Sequence, residues 1–287
     1  MTGNNTLLVT CLYSNLYGTA IGGRHARLHH YLCSLKTLLN TNTDIVVYTS
    51  EHDKQNIENV AELKDHPRLK LIVEDVFSHP EHAYFQRKIK EQSIVNDDRC
   101  YEIMHSKPRW VSRHIEDGYE YIYWIDCGLS YGALFPEKYR GGHGFNFWFN
   151  CSLFNEKLIT NLNVQSDKVS LLVADQKNHC MGPVPNDLLF GDSTNHRPYH
   201  YVVGGMFGGK KDAVAEFCTQ YKEVFEQMKQ HNILQSEELL LTVIYLKDSS
   251  KLNPLYFTTW HPEDSDMAKY NKDGDKHFYK IFEELNN

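Results

Sequence analysis

The chain has 287 residues, of which 41% are hydrophobic and 13% aromatic, and this is enough apolar material for a substantial core. Such a composition indicates a globular chain and excludes a disordered one. The formal net charge of −7, from 30 Lys and Arg against 37 Asp and Glu, provides no general attraction to nucleic-acid phosphates. The net charge does not exclude a local basic groove.

The seven cysteines form no CxxC pair, and their odd number leaves one unmatched in any disulfide framework, so we expect reduced thiols. The N-terminus lacks a basic stretch followed by an apolar one, and no segment approaches the roughly 20 apolar residues that a membrane span needs. These features predict a cytoplasmic protein without a membrane span.

The first third of the sequence alternates between strand and helix patterns. Mostly apolar runs predict strands at Thr6–Tyr13, Asp44–Thr49 and Arg68–Val73. Leucines spaced four, three and four residues apart predict a helix after the first strand, and a second helix is expected near residues 55–63. This alternation predicts right-handed crossovers and a mainly parallel sheet in one α/β domain.

Arg24 and Arg27 stand at the start of the first predicted helix, after a glycine-containing loop. They are placed to meet a diphosphate beside the first strand, or they belong to a solvated helix face. Both interpretations stay open.

Residues 81–116 are polar, basic and helix-prone, with a break expected at Pro108. Lys107 and Arg109 flank that proline and precede the next strand by about ten residues. A cation there would stabilise phosphate charge; the alternative is a surface role.

The stretch Tyr121–Leu129 is the one around which we expect the fold to be organised. Five apolar or aromatic residues predict a strand buried on both faces, and Asp126 closes it. Ligands of open α/β sheets bind beyond the carboxyl ends of the strands, so Asp126 is placed to meet a ligand or its metal ion. Its alternative role is to cap the following turn.

Residues 140–198 read as long loops around a strand near Val169–Ala174, and regularity returns at residues 199–209. There, Gly204 and Gly205 end a β-branched run, which indicates a bend or a close approach by a ligand. An amphipathic helix is expected at about 211–230, a last strand at 251–259 and a charged tail helix near 277–285.

Ser236 has the position of a helix N-cap, followed by Glu237 and Glu238. Acids in a first turn usually serve the helix dipole, but a carboxylate at this position is also a candidate general base. The two side chains point about 100° apart on a helix, so only one can face a site.

Read in order, five motifs resemble the bacterial HtrL/YibB family of glycosyltransferase-like proteins and, more distantly, the GT-A fold of nucleotide-sugar transferases. They are the Val-Thr strand, Ser-Lys-Pro-Arg-Trp-Val, Tyr-Trp-Ile-Asp-Cys-Gly, Val-Gly-Gly-Met-Phe-Gly-Gly and Ser-Glu-Glu-Leu-Leu. The resemblance covers about residues 6–262. It implies a single GT-A-like domain with a nucleotide-binding half (6–130), an acceptor-side half (131–265) and a tail helix (266–287).

The resemblance also implies roles for individual residues. GT-A enzymes carry an Asp-x-Asp motif that holds a divalent cation, and Gly128 stands here where the second acid would be. Mn²⁺ or Mg²⁺ would thus be held by Asp126 and His261. Glu237 or Glu238 would be the catalytic base. The donor would be bound by Thr10, Arg24, Arg27, Lys107, Arg109, Asp126, Gly128, Gly204 and Gly205.

The function implied is transfer of a sugar from a nucleoside-diphosphate sugar to an acceptor hydroxyl of a glycan, a protein or a modified nucleic acid. Two alternatives remain: an inactive nucleotide-sugar-binding module, suggested by the missing second acid, and a metal-dependent nucleotidyltransferase. The absence of GxGxxG and GxxxxGK loops argues against dehydrogenases and P-loop NTPases.

Overall fold

The structure is a computed structural model that describes residues 5–14, 28–92, 101–130, 134–141, 150–164, 167–175 and 200–287. Its centre is a seven-stranded sheet in the order β3-β2-β1-β4-β8-β7-β9. The strands are β1 (Thr6–Leu12), β2 (Asp44–Thr49), β3 (Leu69–Val73), β4 (Tyr121–Ile125), β7 (Val169–Asp175), β8 (His200–Lys210) and β9 (Leu252–Phe257). A small second sheet pairs β5 (Arg140–Gly141) with β6 (Asn150–Cys151).

Among the described residues, eight α-helices flank the central sheet. They are α1 (Leu28–Leu38), α2 (Glu51–Glu58), α3 (His82–Glu91), α4 (Tyr101–Ser112), α5 (Glu156–Val164), α6 (Lys211–Gln230), α7 (Glu237–Lys247) and α8 (Phe278–Leu285). None of them combines the length and the apolar character needed to cross a lipid bilayer.

The sheet is mainly parallel, with β8 as its antiparallel member. Strands β1, β2, β3 and β4 run parallel, β8 runs antiparallel to both β4 and β7, and β9 is parallel to β7. Because the one sheet takes strands from both ends of the chain, the prediction of a single α/β domain with a mainly parallel sheet is confirmed. Its division into a nucleotide-binding and an acceptor-side half stays a prediction.

Alternation along the strands divides the core into two layers. In β4, Ile122 and Trp124 face the layer of α3, α4, α6 and α7, whereas Tyr123 and Ile125 face the layer of α1, α2, α5 and α8. All four side chains are fully buried. A central strand that packs on both faces must be apolar throughout, which is why its sequence shows a continuous run.

The connections diverge at β1 and β4. From β1 the chain passes through α1 to β2 on one side, whereas α3 and α4 lead from β3 to β4 on the other side. The carboxyl ends of β1 and β4 therefore flank a topological switch point, where open α/β sheets form their ligand crevices.

Two sequence expectations need correction. Helix α4 runs through Pro108 to Ser112, so the predicted break is wrong; burial of Trp110 and Val111 against the sheet outweighs the backbone hydrogen bond that proline forfeits. Helix α2 begins at Glu51, because the Ser50 hydroxyl caps it by accepting from the Asp53 N–H at 3.0 Å.

The glycine-containing strand β8 is continuous but bulged. Leu171 of β7 pairs with Phe207, and the next residue, Leu172, pairs with Val203, so residues 204–206 loop out of the ladder. On its other side β8 stays paired with β4 through Met206 and Ile125. The bend expected at Gly204 and Gly205 is thus a β-bulge at the carboxyl end of β4.

We expect Gly208→Ala to lower the free energy of unfolding by about 2–3 kcal/mol, measured by urea denaturation. Gly208 has φ +156°, and an added Cβ would lie 2.4 Å from the Ile122 carbonyl oxygen and 2.5 Å from the Tyr123 Cα. Gly118→Ala is the matched control, since Gly118 also has positive φ (+88°) but open space around it. Equal losses in both variants would contradict the clash.

Candidate functional site

A cleft of about 600 Å³ opens at the switch point. Strand β1 ends at it with Cys11 and Leu12, and the residues after β4 form its floor from Asp126 to Leu129. Helix α1 supplies one wall and α4 the other. The volume and the position are those of a small-molecule site in an α/β protein.

Asp126 places a carboxylate in this cleft. Its backbone N–H donates to the Gly205 carbonyl at 2.8 Å, which fixes it beside the β8 bulge. The Trp124 indole N–H donates to its Oδ1 at 2.7 Å. The side chain remains 40% exposed, so the carboxylate is oriented by the protein and still open to a ligand.

Lys107 is the centre of an ionic cluster behind that carboxylate. From helix α4 its ammonium lies 3.1 Å from Asp126 Oδ1 and donates to the Gly204 carbonyl at 3.0 Å and to Glu237 Oε1 at 2.8 Å. The side chain is 8% exposed. Three acceptors match the three N–H groups of an ammonium. Lys107, which the sequence suggested as a cation for phosphate, is therefore paired with two carboxylates of the protein.

The charge of Lys107 is fixed by this environment. Burial by itself would lower the pKa of Lys107, but the charges of Asp126 and Glu237 outweigh it, and the pKa is raised. The side chain therefore stays protonated at neutral pH and is excluded as a base.

Glu237 and Glu238 point to different partners. Glu237 is 3% exposed; its Oε1 accepts from Lys107, and its Oε2 is buried with no hydrogen-bond partner. Glu238 is half-buried, and its Oε1 accepts from the Gly204 N–H at 3.2 Å. Ser236 caps the helix, accepting from the Leu239 N–H at 3.3 Å as the sequence predicts. Neither acid lines the cleft.

The two glycines of the bulge make room chiefly for the protein itself. A Cβ on Gly204 would lie 2.6 Å from Glu237 Oε1 and 3.2 Å from Lys107 Nζ, so a side chain there would displace the ion pair. A Cβ on Gly205 would lie 3.0 Å from Leu129 Cδ1. Gly205 lines the cleft directly, and Gly204 is bonded to the cluster behind it.

Gly128 also lines the cleft, and it accommodates an aromatic ring. A Cβ on Gly128 would lie 2.9 Å from Cε1 of Tyr31 on α1. The Cys127 thiol donates to the Tyr31 carbonyl at 3.3 Å, which joins helix α1 to the floor of the cleft.

Besides Gly204, Glu237 and Glu238, three further predicted site residues do not line the cleft. Thr10 is fully buried within β1, and its Oγ1 has no hydrogen-bond partner. Arg109 points instead to Glu74, which also binds Arg113. The backbone of His261 donates to Thr259 and accepts from Asn271 and His277, and its ring does not line the cleft. Arg24 and Arg27 lie outside the described residues.

The predicted metal site is incomplete in protein ligands alone. In the part of the chain that the structure describes, no three His, Cys, Asp or Glu side chains come together as a metal centre. Mg²⁺ in phosphate sites is often held by one or two carboxylates together with substrate phosphates. The half-exposed Asp126 fits that arrangement, so Mn²⁺ or Mg²⁺ stays a prediction with Asp126 as its protein ligand.

Sequence reasoning missed the aromatic and apolar walls of the cleft. The contact between Trp124 and Asp126 could have been predicted from the sequence. Residues two apart on a strand share a face, so the Trp124 N–H can reach the Asp126 carboxylate. The missed lining residues come from five separate segments: Tyr13, Tyr31, Ile103, Met104, Leu134 and Trp260.

His105 connects helix α4, which carries Lys107, to helix α6 and to the segment before α7. On α4, two residues before Lys107, its Nε2–H donates to the Gln235 carbonyl at 3.0 Å, next to the cap of α7. Its Nδ1 accepts from the Tyr221 hydroxyl at 2.7 Å. Burial of this neutral ring lowers the pKa of His105 to about 3.

Comparisons with known proteins give limited context. No protein-family model matches the chain, so its resemblance to the HtrL/YibB family stays a prediction. No curated protein matches it either. Among solved structures, it is similar to 4-diphosphocytidyl-2C-methyl-D-erythritol synthase from Anaerococcus prevotii, with a TM-score of 0.44 and 9% identity over 99% of this chain and 97% of that one. The strand order above, not this likeness, defines the fold.

We expect stability to fall as the pH drops from 7 to 5. The unfolded chain has a His105 pKa near 6.5 against about 3 when folded, so unfolding takes up a proton in this window. The contribution of neutral His105 to the free energy of unfolding is fully present above pH 6.5. It falls by about 1.4 kcal/mol per pH unit below that value. His105→Gln should reduce the pH dependence of the urea unfolding free energy, and His52→Gln, at an exposed position, should not. The same dependence in both variants would contradict this role.

Proposed function

We propose that this chain is a glycosyltransferase that binds a nucleoside-diphosphate sugar in the cleft between β1 and β4. One observation carries the proposal: a carboxylate, Asp126, stands half-exposed at the switch-point crevice and is oriented from behind by a buried lysine. Ligands of open α/β sheets bind in the crevice beyond the carboxyl ends of the strands, at the topological switch point.

The chemistry of sugar transfer gives each group a task. Positive charge develops at the anomeric carbon while negative charge grows on the departing diphosphate. A divalent cation bound by Asp126 would supply Lewis-acid stabilisation of that diphosphate. Lys107 holds the Asp126 carboxylate in place from the buried side. The Trp124 N–H donates to Oδ1 of Asp126, the same oxygen that lies 3.1 Å from the Lys107 ammonium.

Between the two acids of α7, the contacts favour Glu238 for removal of the acceptor proton. Glu237 is enclosed and bound to Lys107, so it is a positioning residue for the lysine. Glu238 is half-buried and sits on Gly204, whose neighbours Val203 and Gly205 line the cleft. The acceptor itself, whether a glycan, a protein or a modified nucleic acid, is chosen by surfaces beyond this pair.

We expect nucleoside-diphosphate sugars with Mn²⁺ or Mg²⁺ to raise the melting temperature, since a ligand at about 100 times its Kd adds about 2.7 kcal/mol. Asp126→Asn should abolish the shift and the release of nucleoside diphosphate, whereas Asp273→Asn, at an exposed site elsewhere, should keep both. A flat response to every donor would refute the proposal.

The products separate the rival functions in the same experiment. Binding without turnover indicates an inactive nucleotide-sugar-binding module. Release of pyrophosphate from a nucleoside triphosphate indicates a nucleotidyltransferase.

We expect Glu238→Gln to lower kcat for donor cleavage by about 10²- to 10⁴-fold with little change in donor KM, because it removes a general base. Glu237→Gln should instead raise donor KM, because it removes one of the charges that hold Lys107. The pH–rate profile is the deciding measurement: Glu238→Gln should lose the limb that reports deprotonation of the base, and Glu237→Gln should retain it. The reverse pattern would assign the base to Glu237.

A further inference from the structure

The two oxygens of the Asp126 carboxylate have different partners. Oδ1 accepts from the Trp124 indole N–H at 2.7 Å. The Lys107 ammonium is 3.1 Å from Oδ1 and 3.3 Å from Oδ2, so it lies between the two oxygens. A carboxylate has about four lone-pair positions, two on each oxygen. The ammonium covers the inner positions and the indole the outer one on Oδ1. Among the contacts of the described residues, the outer position of Oδ2 is left for a ligand.

The ring of Trp124 is enclosed, so its N–H cannot turn away from Asp126. The side chain is fully buried and stacks on Trp110 and on Phe207, with ring centroids 6.0 Å and 6.5 Å apart. Its backbone belongs to β4, which is paired with β1 on one side and with β8 on the other. An indole N–H is a donor only. The hydrogen bond to Oδ1 therefore persists when a ligand enters the cleft.

The ammonium of Lys107 is held between the Asp126 oxygens as firmly. It also donates to Glu237 Oε1 at 2.8 Å and to the Gly204 carbonyl at 3.0 Å, and the side chain is 8% exposed. Moving it would leave the buried Glu237 carboxylate without its counter-charge, which is strongly destabilising. A cation in the cleft therefore meets one oxygen of Asp126 and not a chelating pair.

Divalent cations differ in what they require from a carboxylate. Ca²⁺ takes about six to eight oxygens and often binds both oxygens of one carboxylate. Mg²⁺ requires a near-octahedral set and is commonly held by one or two carboxylates together with substrate phosphates. Mn²⁺ prefers the same oxygen ligands as Mg²⁺.

We infer that Trp124 selects the cation of this site: by keeping Oδ1 occupied, it presents Oδ2 alone, which matches Mg²⁺ or Mn²⁺ and disfavours Ca²⁺. The inference rests on the proposed function, because that function brings a diphosphate-bound cation to Asp126. Trp124 is a positioning residue, since it acts through the carboxylate and does not touch the ion.

The test measures cation binding by water-proton relaxation, with Mn²⁺ and inorganic pyrophosphate as a probe that carries neither base nor sugar. Trp124→Phe keeps an aromatic ring in the stack and removes the N–H. It should weaken Mn²⁺ binding about 10- to 100-fold, the usual cost of losing a hydrogen bond to a metal ligand. It should also reduce the preference for Mg²⁺ over Ca²⁺ as competitors, because the carboxylate can then turn and offer both oxygens.

Trp110→Phe is the matched control. Trp110 is fully buried in the same stack, but its N–H donates to Glu74 Oε1 at 3.2 Å instead of to Asp126. The variant loses the same ring area and one N–H, and it should keep both the Mn²⁺ affinity and the preference for Mg²⁺. Equal changes in the two variants would overturn the inference, as would no change in either. Mn²⁺ binding that survives Asp126→Asn would overturn it as well.

A measurement on the wild-type protein does not depend on how well Trp124→Phe folds. The chain has four tryptophans, and their indole N–H resonances are resolved by NMR and assigned with the Trp→Phe variants. Mg²⁺ with pyrophosphate should shift the Trp124 resonance and leave that of Trp110 in place, and Ca²⁺ should shift it only at higher concentration. A Trp124 resonance that does not respond to Mg²⁺, or that responds equally to Ca²⁺, would overturn the inference.

The assay of nucleotide-sugar cleavage keeps the two proposals apart. If the wild-type protein releases nucleoside diphosphate but cation binding is indifferent to Trp124→Phe, the role of Trp124 is refuted and the proposed function stands. If Trp124→Phe changes the cation preference but no nucleotide sugar binds or is cleaved, cation selection stands and the transferase is refuted.

Discussion

The site depends on one buried ammonium group held between two carboxylates. Lys107 joins Asp126 of the central strand end, Glu237 of α7 and the carbonyl of Gly204 in a single cluster. Removal of one partner would leave an uncompensated charge in a largely buried place, which is strongly destabilising. The lysine therefore links the positions of three separate chain segments to the orientation of one exposed carboxylate.

That cluster requires the bulge in β8. An ordinary ladder between β7 and β8 would keep residues 204–206 paired, whereas the bulge turns the Gly204 carbonyl to Lys107 and its N–H to Glu238. A Cβ at Gly204 would lie 2.6 Å from a Glu237 oxygen, so a larger residue there would have to displace that carboxylate from Lys107. The same bulge lets the Gly205 carbonyl accept from the Asp126 N–H, so the backbone and the ionic contacts fix the same residue.

Much of the architecture was predictable from local patterns. The strands β1, β2, β7 and β9, the helix α6 and the Ser236 cap all lie at or near their expected positions, because apolar periodicity and capping chemistry act over a few residues. Pro108 shows the limit of such patterns, because tertiary burial of its helix overrides a strong local signal. Arg109 shows it as well, since its pairing with Glu74 depends on how α4 lies across the end of β3.

The sequence by itself determined that this chain folds as an α/β protein, and that one carboxylate, Asp126, closes its most apolar strand. Periodicity decides which face of each element is buried, and that information is local. Only the tertiary structure decided that Lys107 binds Glu237, 130 residues away, and that Tyr31 and Trp260 share a cleft. Strand order, the β8 bulge and the packing of helices on both faces bring these groups together, and those are consequences of how the whole core closes.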